Sequence, residues 1–216
     1  MFDLDDTLFE EMTFVKSGFK AVAKFLNQSY NLNEFELFDR LVAYEKGFGR
    51  GKVFDIVLRD YDVYTKFAVR KCITIYRQHN PVIELFPDAI RCLERLRGSS
   101  VYIVTDGNKL VQQRKIAALG LSKWVKFSFI TYRFGIKHSK PSPYCFLKIC
   151  KIEKCNPSEV TCIADNPKKD FIGIKPLGFK TVRVLRGNYK DLRLDQAYEA
   201  DLKINNLDDL KIEDHV

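Results

Sequence analysis

Two hydrophobic rhythms divide this chain of 216 residues. Between about residues 10 and 80 the apolar positions recur at helical spacing, through FVKSGFKAVAKFLNQSY, EFELFDRLVAYEKGF and VFDIVLRDYDVYTKFAVRKCITIYRQH, so an all-helical segment is expected there. FGRGKVF interrupts it, and its glycines around Arg50 and Lys52 have the composition of a mobile loop between helices. From Phe86 short apolar runs alternate with amphipathic stretches: helix PDAIRCLERLR, strand VYIVT, helix NKLVQQRKIAALGL, strand KFSFIT, helix PSPYCFLKICKI, strand VTCIA, helix PKKDFIGIKPLG and strand KTVRVL. Continuous apolar strands separated by such helices predict βαβ crossovers and a parallel sheet covered on both faces, an α/β fold. ADLKI predicts one more short strand and NNLDDLKIED a closing helix.

Composition narrows the class. A hydrophobic fraction of 46% suffices for a sizeable core, one large domain carrying a smaller one. No run approaches the roughly 18 apolar residues of a membrane helix, and the first residues lack a basic region followed by an apolar stretch. The expectation is a soluble, unsecreted, cytoplasmic protein. The six cysteines form no CxxC pair and several fall inside apolar segments, so they read as reduced and structural. The formal charge of +8 favours anionic partners, phosphorylated metabolites or nucleic acid, but the basic residues are scattered over helix faces and no recognition motif is present, which argues against nucleic acid. Oligomeric state is silent.

In a parallel sheet of this kind ligands bind beyond the carboxyl ends of the strands. Those ends read FDLDDT, VTDGN, ITYRFGIKHSK and IADNPKKD. Asp3 and Asp5 lie two apart, so on leaving an extended strand their side chains project the same way, as a nucleophile beside an acid/base or as two ligands for a hard cation. A calcium loop does not fit, because Leu8 and Phe14 stand where it needs glycine and glutamate. A carboxylate that attacks a phosphate needs a metal or fixed cations to offset the repulsion. Asp165 suits Mg²⁺, Lys140 suits the phosphate and the nucleophile, and Thr105 with the backbone N–H groups of Asp106 and Gly107 suits the phosphoryl oxygens.

These four stretches, FDLDDTL, VYIVTDGN, KPSPYCF and IADNPKKD, stand in the order of the haloacid-dehalogenase superfamily's motifs, and the chain resembles its aspartate-nucleophile phosphatases. The helical insert after the first motif resembles the C1-type cap. The resemblance implies a Rossmann-like core over 1–9 and 81–216 with a cap over 10–80. It also implies a Mg²⁺-dependent phosphomonoesterase acting on a small phosphorylated metabolite, such as a nucleotide, flavin mononucleotide or sugar phosphate. Carried over by position, Asp3 becomes the aspartyl-phosphate and Asp5 protonates the leaving oxygen and later activates water. Thr7 braces the turn. The metal ligands are Asp3, Asp5 through its backbone carbonyl, Asp165 and Asp170, the last orienting Lys140 or a metal-bound water. Asp5 argues for phosphoryl transfer, since the family's dehalogenases lack an acid there. Arg50 and Lys52 are expected to reach the substrate from the cap.

Two departures stand out. Gly135 precedes Lys140 by five residues where many relatives have three, so a longer loop is expected. Only Met1 and Phe2 precede Asp3, so native residues are expected upstream of a central strand this short. The alternatives are a phosphomutase with the same aspartate chemistry and a non-enzymatic phosphate- or nucleic-acid-binding protein. A signalling receiver module ranks low, because here the acidic IADNPKKD follows Lys140 and a helical insert follows the first motif.

Overall fold

The computed structural model describes residues 1–211. The chain divides into two compact units, Met12–Ile83 and, around it in sequence, Met1–Glu11 with the chain from Glu84 onward.

The inserted unit is built from helices α1 (Glu11–Tyr30), α2 (Glu34–Phe48), α3 (Val53–Asp60) and α4 (Lys66–Gln78). Val15, Phe19, Val22 and Leu26 fall three or four apart along α1, so they share one face. That face packs against Leu37 and Leu41 of α2, Val57 and Leu58 of α3, and Ala68 and Cys72 of α4. Asn33 starts α2 by accepting from the N–H groups of Phe35 and Glu36, and Thr65 starts α4 by accepting from Ala68 N–H.

Among the described residues the other unit holds five parallel strands: β1 (Tyr102–Thr105), β2 (Phe127–Ile130), β3 (Thr161–Ala164), β4 (Lys180–Val184) and β5 (Leu202–Ile204). Phe2 bridges to Ile103 of β1 on one side and Ile163 of β3 on the other, which makes the first residues the link between the β2–β1 pair and the β3–β4–β5 triple. Phe2 N–H donates to Tyr102 O (2.8 Å), Val104 N–H to Phe2 O (2.9 Å), and Asp3 N–H to Ile163 O (2.9 Å). The stretch is short, yet its backbone is paired on both sides at the centre of the sheet. Helices α5 (Pro87–Arg95), α6 (Lys109–Ala118) and α7 (Tyr144–Glu153) connect and flank the strands, the α/β arrangement that the alternating pattern predicts.

Among the described residues, two expected helices take other forms. PKKDFIGIKPLG forms turns ending in one 3₁₀ turn, Lys175–Leu177. Pro167 and Pro176 bring no N–H, and the Asp170 carboxylate takes the N–H of Asn166 (3.2 Å), a local bond that competes with helix. Gly173 fixes the path further: a Cβ there would lie 1.7 Å from the carbonyl oxygen of Pro141. In NNLDDLKIED the structure has a single 3₁₀ turn, Leu207–Asp209, capped by Asn206, and the end of that stretch, 212–214, lies outside the described residues.

None of the six cysteines is in a disulfide. Burial pushes the thiols of Cys72 and Cys162 up to about 12, so they pack as small apolar groups. Among the described residues no helix is long and apolar enough to cross a membrane.

Gly173 supports the loop that carries Lys140, through Pro141. Gly173→Ala is expected to destabilise the protein by about 3 kcal/mol or more, at the upper end of overpacking costs, because backbone must move to admit the methyl group. Urea unfolding of the variant and the parent checks this.

Candidate active site

The site collects at the carboxyl ends of the central strands. Asp3 follows the Phe2 bridge, Thr105 ends β1, Asp165 follows β3, and Lys140 and Asp170 come from the loops before α7 and after β3. Parallel strands put these ends on one edge, which is why residues so distant in sequence meet.

Lys140 is the pivot. Its side chain is 2% exposed, and Nζ donates to Asp3 Oδ1 at 2.6 Å and lies 2.8 Å from Asp170 Oδ1. Burial opposes its charge, but Asp170, Asp3 and Asp106 outweigh that and hold the ammonium well above its ordinary pKa. Asp3 has its pKa raised, first by burial and then by Asp170, with Lys140 pulling the other way. Asp165 sits well above the usual carboxylate range, because it is buried and faces Asp3, Asp170 and Asp6. Thr7 Oγ1 donates to Asp165 Oδ1 at 3.3 Å, across the turn that follows Asp3.

Asp3, Asp165 and Asp170 bring carboxylate oxygens within 4.8 Å of one another, all buried, and among the described residues no other His, Cys, Asp or Glu cluster is gathered this way. Three carboxylates crowded against one contacting lysine leave negative charge uncompensated, and oxygen-only donors suit a hard divalent cation such as Mg²⁺. The residues therefore fit a metal.

Asp5 points elsewhere. Its Oδ1 takes Lys115 Nζ at 2.5 Å and its Oδ2 takes Gln112 Nε2 at 2.8 Å, so its side chain is outside the metal-like trio. Burial raises its pKa, Lys115 opposes that, and Glu11 and Asp3 reinforce it. Thr105 Oγ1 accepts from the same Gln112 amide at 2.6 Å. Asp106 ties the loops together, accepting from Thr131 Oγ1 (2.6 Å) and Lys140 N–H (3.2 Å) and pairing with Lys169 (3.5 Å). Gly107 has φ +134°, a conformation that gives the backbone after β1 its turn into α6. Arg50 and Lys52 stand on the inserted unit, in the loop between α2 and α3, where Arg50 Nε lies 3.4 Å from Glu45 Oε1.

Sequence reasoning missed Gln112, Lys115 and Arg183. QQRK reads as a solvated helix face, but Gln112 and Lys115 are three apart, on one side of a helix that begins directly after the Thr105 strand end, and both are buried. Arg183 lies inside β4 with no exposed surface. Its guanidinium donates to Glu199 (2.9 Å to each oxygen), Leu192 O (3.1 Å), Tyr189 O and Asp165 O (3.3 Å).

A model of the haloacid dehalogenase-like hydrolases matches residues 1–178. A glyceraldehyde 3-phosphate phosphatase of Methanocaldococcus jannaschii is 30% identical over 219 residues, 97% of this chain and 93% of that protein. Among solved structures, a HAD phosphatase from Thermococcus onnurineus superposes with a TM-score of 0.59 at 24% identity, over 96% of this chain and 93% of the other. A 2-haloacid dehalogenase from Pseudomonas syringae does so with 0.64 at 21%, over 95% and 93%. These structural likenesses establish the fold, which phosphatase and dehalogenase share, so the chemistry has to be argued from the site.

Asp165 gives a test of the charge crowding. A carboxyl with a raised folded-state pKa leaves stability fully present below its unfolded value and loses it as pH rises through the folded value. Without divalent metal, the protein is therefore expected to lose stability from mildly acidic to alkaline pH. Asp165→Asn should flatten that loss, melting above the parent at pH 8 by about 2–4 °C for each kcal/mol of repulsion relieved. Thermal melts of both proteins in EDTA from pH 5 to 8 check it, and equal slopes would refute it.

Proposed function

Because the chain belongs to the haloacid dehalogenase-like hydrolases and is a phosphatase of that superfamily, we propose that it hydrolyses a small phosphomonoester through an aspartyl-phosphate on Asp3, with Mg²⁺ as cofactor. The observation that carries this reading is a pair of carboxyl groups two residues apart in unlike surroundings, Asp3 against Lys140 and Asp5 against Lys115 and Gln112. A dehalogenation needs only the nucleophile, whereas ester cleavage also needs a proton for the departing alkoxide.

Lys140 holds Asp3 Oδ1 and leaves Oδ2 to attack phosphorus. As the new O–P bond forms and the ester P–O bond breaks, the Asp5 carboxyl gives its proton to the leaving oxygen, releasing the alcohol. In the second half, Asp5 as carboxylate takes a proton from the attacking water. The bond from Asp3 to phosphorus breaks, inorganic phosphate leaves, and Asp5 is again protonated. Burial, which raises the pKa of Asp5, favours the protonated form that the first half needs. The hydroxyl of Thr105 and the N–H groups of Asp106 and Gly107 donate to the phosphoryl oxygens, where charge builds up. Mg²⁺ would be held by Asp3, Asp165, Asp170 and the backbone carbonyl of Asp5, and when bound it offsets the carboxylate charge and that of the phosphoryl oxygens. Arg50 and Lys52 are assigned to a polar or anionic group elsewhere on the substrate.

The named activity of the Methanocaldococcus relative makes three-carbon phosphates the first substrates to try, with nucleotides, flavin mononucleotide and hexose phosphates beside them. Phosphate release from that panel is expected with Mg²⁺ and to vanish in EDTA. Asp3→Asn should lower turnover by at least about 10⁴-fold while the protein still melts cooperatively, since the nucleophile is gone. Turnover that survives in Asp3→Asn would refute the covalent route, and activity that needs a bisphosphate activator would point to a mutase.

A further inference from the structure

α6 turns two buried polar side chains toward the reacting groups, and the two halves of the reaction described above do not by themselves explain why. Lys115 and Gln112 have 2% relative exposure each, although lysine and glutamine are seldom this buried without a task. Lys115 Nζ is 2.5 Å from Asp5 Oδ1 and 3.6 Å from Glu11 Oε1, and lies 5.8 Å from the centroid of the Phe9 ring. Gln112 Nε2 reaches Asp5 Oδ2 at 2.8 Å and Thr105 Oγ1 at 2.6 Å. Both oxygens of Asp5 are thus tied to one helix, through residues one turn apart.

We propose that Lys115 and Gln112 are positioning residues: together they fix the plane of the Asp5 carboxyl for proton transfer to the leaving oxygen, and Gln112 also sets the Thr105 hydroxyl. This rests on the reading of Asp5 as the general acid. A carboxyl on a short chain rotates about two bonds, and one contact fixes a single oxygen, whereas two donors on opposite oxygens fix the plane. With Asp5 as carboxylate, the amide that faces it presents its NH₂ group, since a carboxylate only accepts. Its second hydrogen then fills a lone pair of Thr105 Oγ1, which leaves the hydroxyl proton of Thr105 to point at a phosphoryl oxygen. Glu11 holds the other side of Lys115 and keeps the ammonium from swinging away from Asp5.

A group that only holds the fold would affect every substrate equally, whereas a group that orients a proton donor matters only when the leaving oxygen needs a proton. The experiment compares glycerol 2-phosphate, a poor alkoxide leaving group, with 2,4-dinitrophenyl phosphate, whose phenolate departs unprotonated. Both are run with saturating Mg²⁺ on the full chain. Asp5→Asn calibrates the assay and should lose about 10²–10⁴-fold on the alkyl ester and far less on the aryl ester. Lys115→Met, which keeps the aliphatic volume, is expected to lose at least about 30-fold on glycerol 2-phosphate and less than about 3-fold on the aryl ester. Gln112→Leu should show the same selectivity plus a loss common to both esters, through Thr105. Equal losses on the two esters in Lys115→Met, or in Gln112→Leu should the methionine variant not fold, overturn the positioning role while Asp5→Asn remains selective. An unselective Asp5→Asn would instead remove the general acid, and the inference with it.

Discussion

The contact between Lys140 and Asp3 is the constraint on which the rest of this structure turns. Both groups are nearly lost to solvent, at 2% and 7% side-chain exposure, and neither charge tolerates burial without the other. Asp170 joins on the second side of the ammonium, and Asp165 closes the group without a lysine of its own. The four side chains come from three separate segments, which only a parallel sheet with its ends in register brings together. One contacting lysine, with Lys169 adding its charge at longer range, leaves three carboxylates undercompensated, a poor arrangement for stability and a good one for holding a further cation. The crowding is a cost to the fold that a bound cation would offset.

That cost is met by a rigid surround. Asp106 accepts from Thr131 and from the backbone N–H of Lys140, so the β1 end, the β2 end and the lysine loop are tied together. Gly173 lets the turn after β3 close onto Pro141, next to Lys140. Arg183 reaches from inside β4 to the backbone carbonyl of Asp165 and to Glu199, and fixes the loop after β3 from below. Gly187 does the same for the turn after Asp3: its missing side chain leaves room for Asp6, which sits at φ +52° and accepts the N–H of Glu11 at 2.9 Å. In each case a polar group of the candidate site is placed by a neighbouring side chain or by the room left at a glycine.

This division explains what was legible in the sequence. Strands such as VYIVT and VTCIA announce themselves as apolar runs, and the polar residues directly after them, Thr105 and Asp165, stand out because a strand end is where a parallel sheet presents chemistry. Asp3 and Asp5 were readable for the same reason. PKKDFIGIKPLG was not, because its apolar spacing imitates a helix while two prolines and the Asp170 side chain remove the hydrogen bonds a helix needs. Arg183 was hidden inside the strand run KTVRVL, and Gln112 and Lys115 inside a stretch whose composition suits solvent. Buried polar supports carry no local signature. Their partners are more than a hundred residues away, as Asp5 is from Lys115, or across a loop, as Glu199 is from Arg183.

The charge distribution then sets the terms on which a substrate enters. Asp3 and Asp5 each contact their own lysine, Lys140 and Lys115, delivered from different elements, which on the proposed mechanism would let the two carboxyls be held in different protonation states within one small volume. Lys140, Lys115 and Lys169 face the acids Asp3, Asp5, Glu11, Asp106, Asp165 and Asp170, and the phosphate ester of the proposed reaction arrives with up to two more negative charges. The formal surplus of +8 over the whole chain raises the rate at which anions meet the surface, but it falls off within a Debye length of about 8 Å at physiological salt and does not offset the carboxylates at the strand ends. On the proposed mechanism, entry of the phosphoryl group therefore calls for local positive charge beyond these lysines, which a divalent cation held by the carboxylate trio would supply.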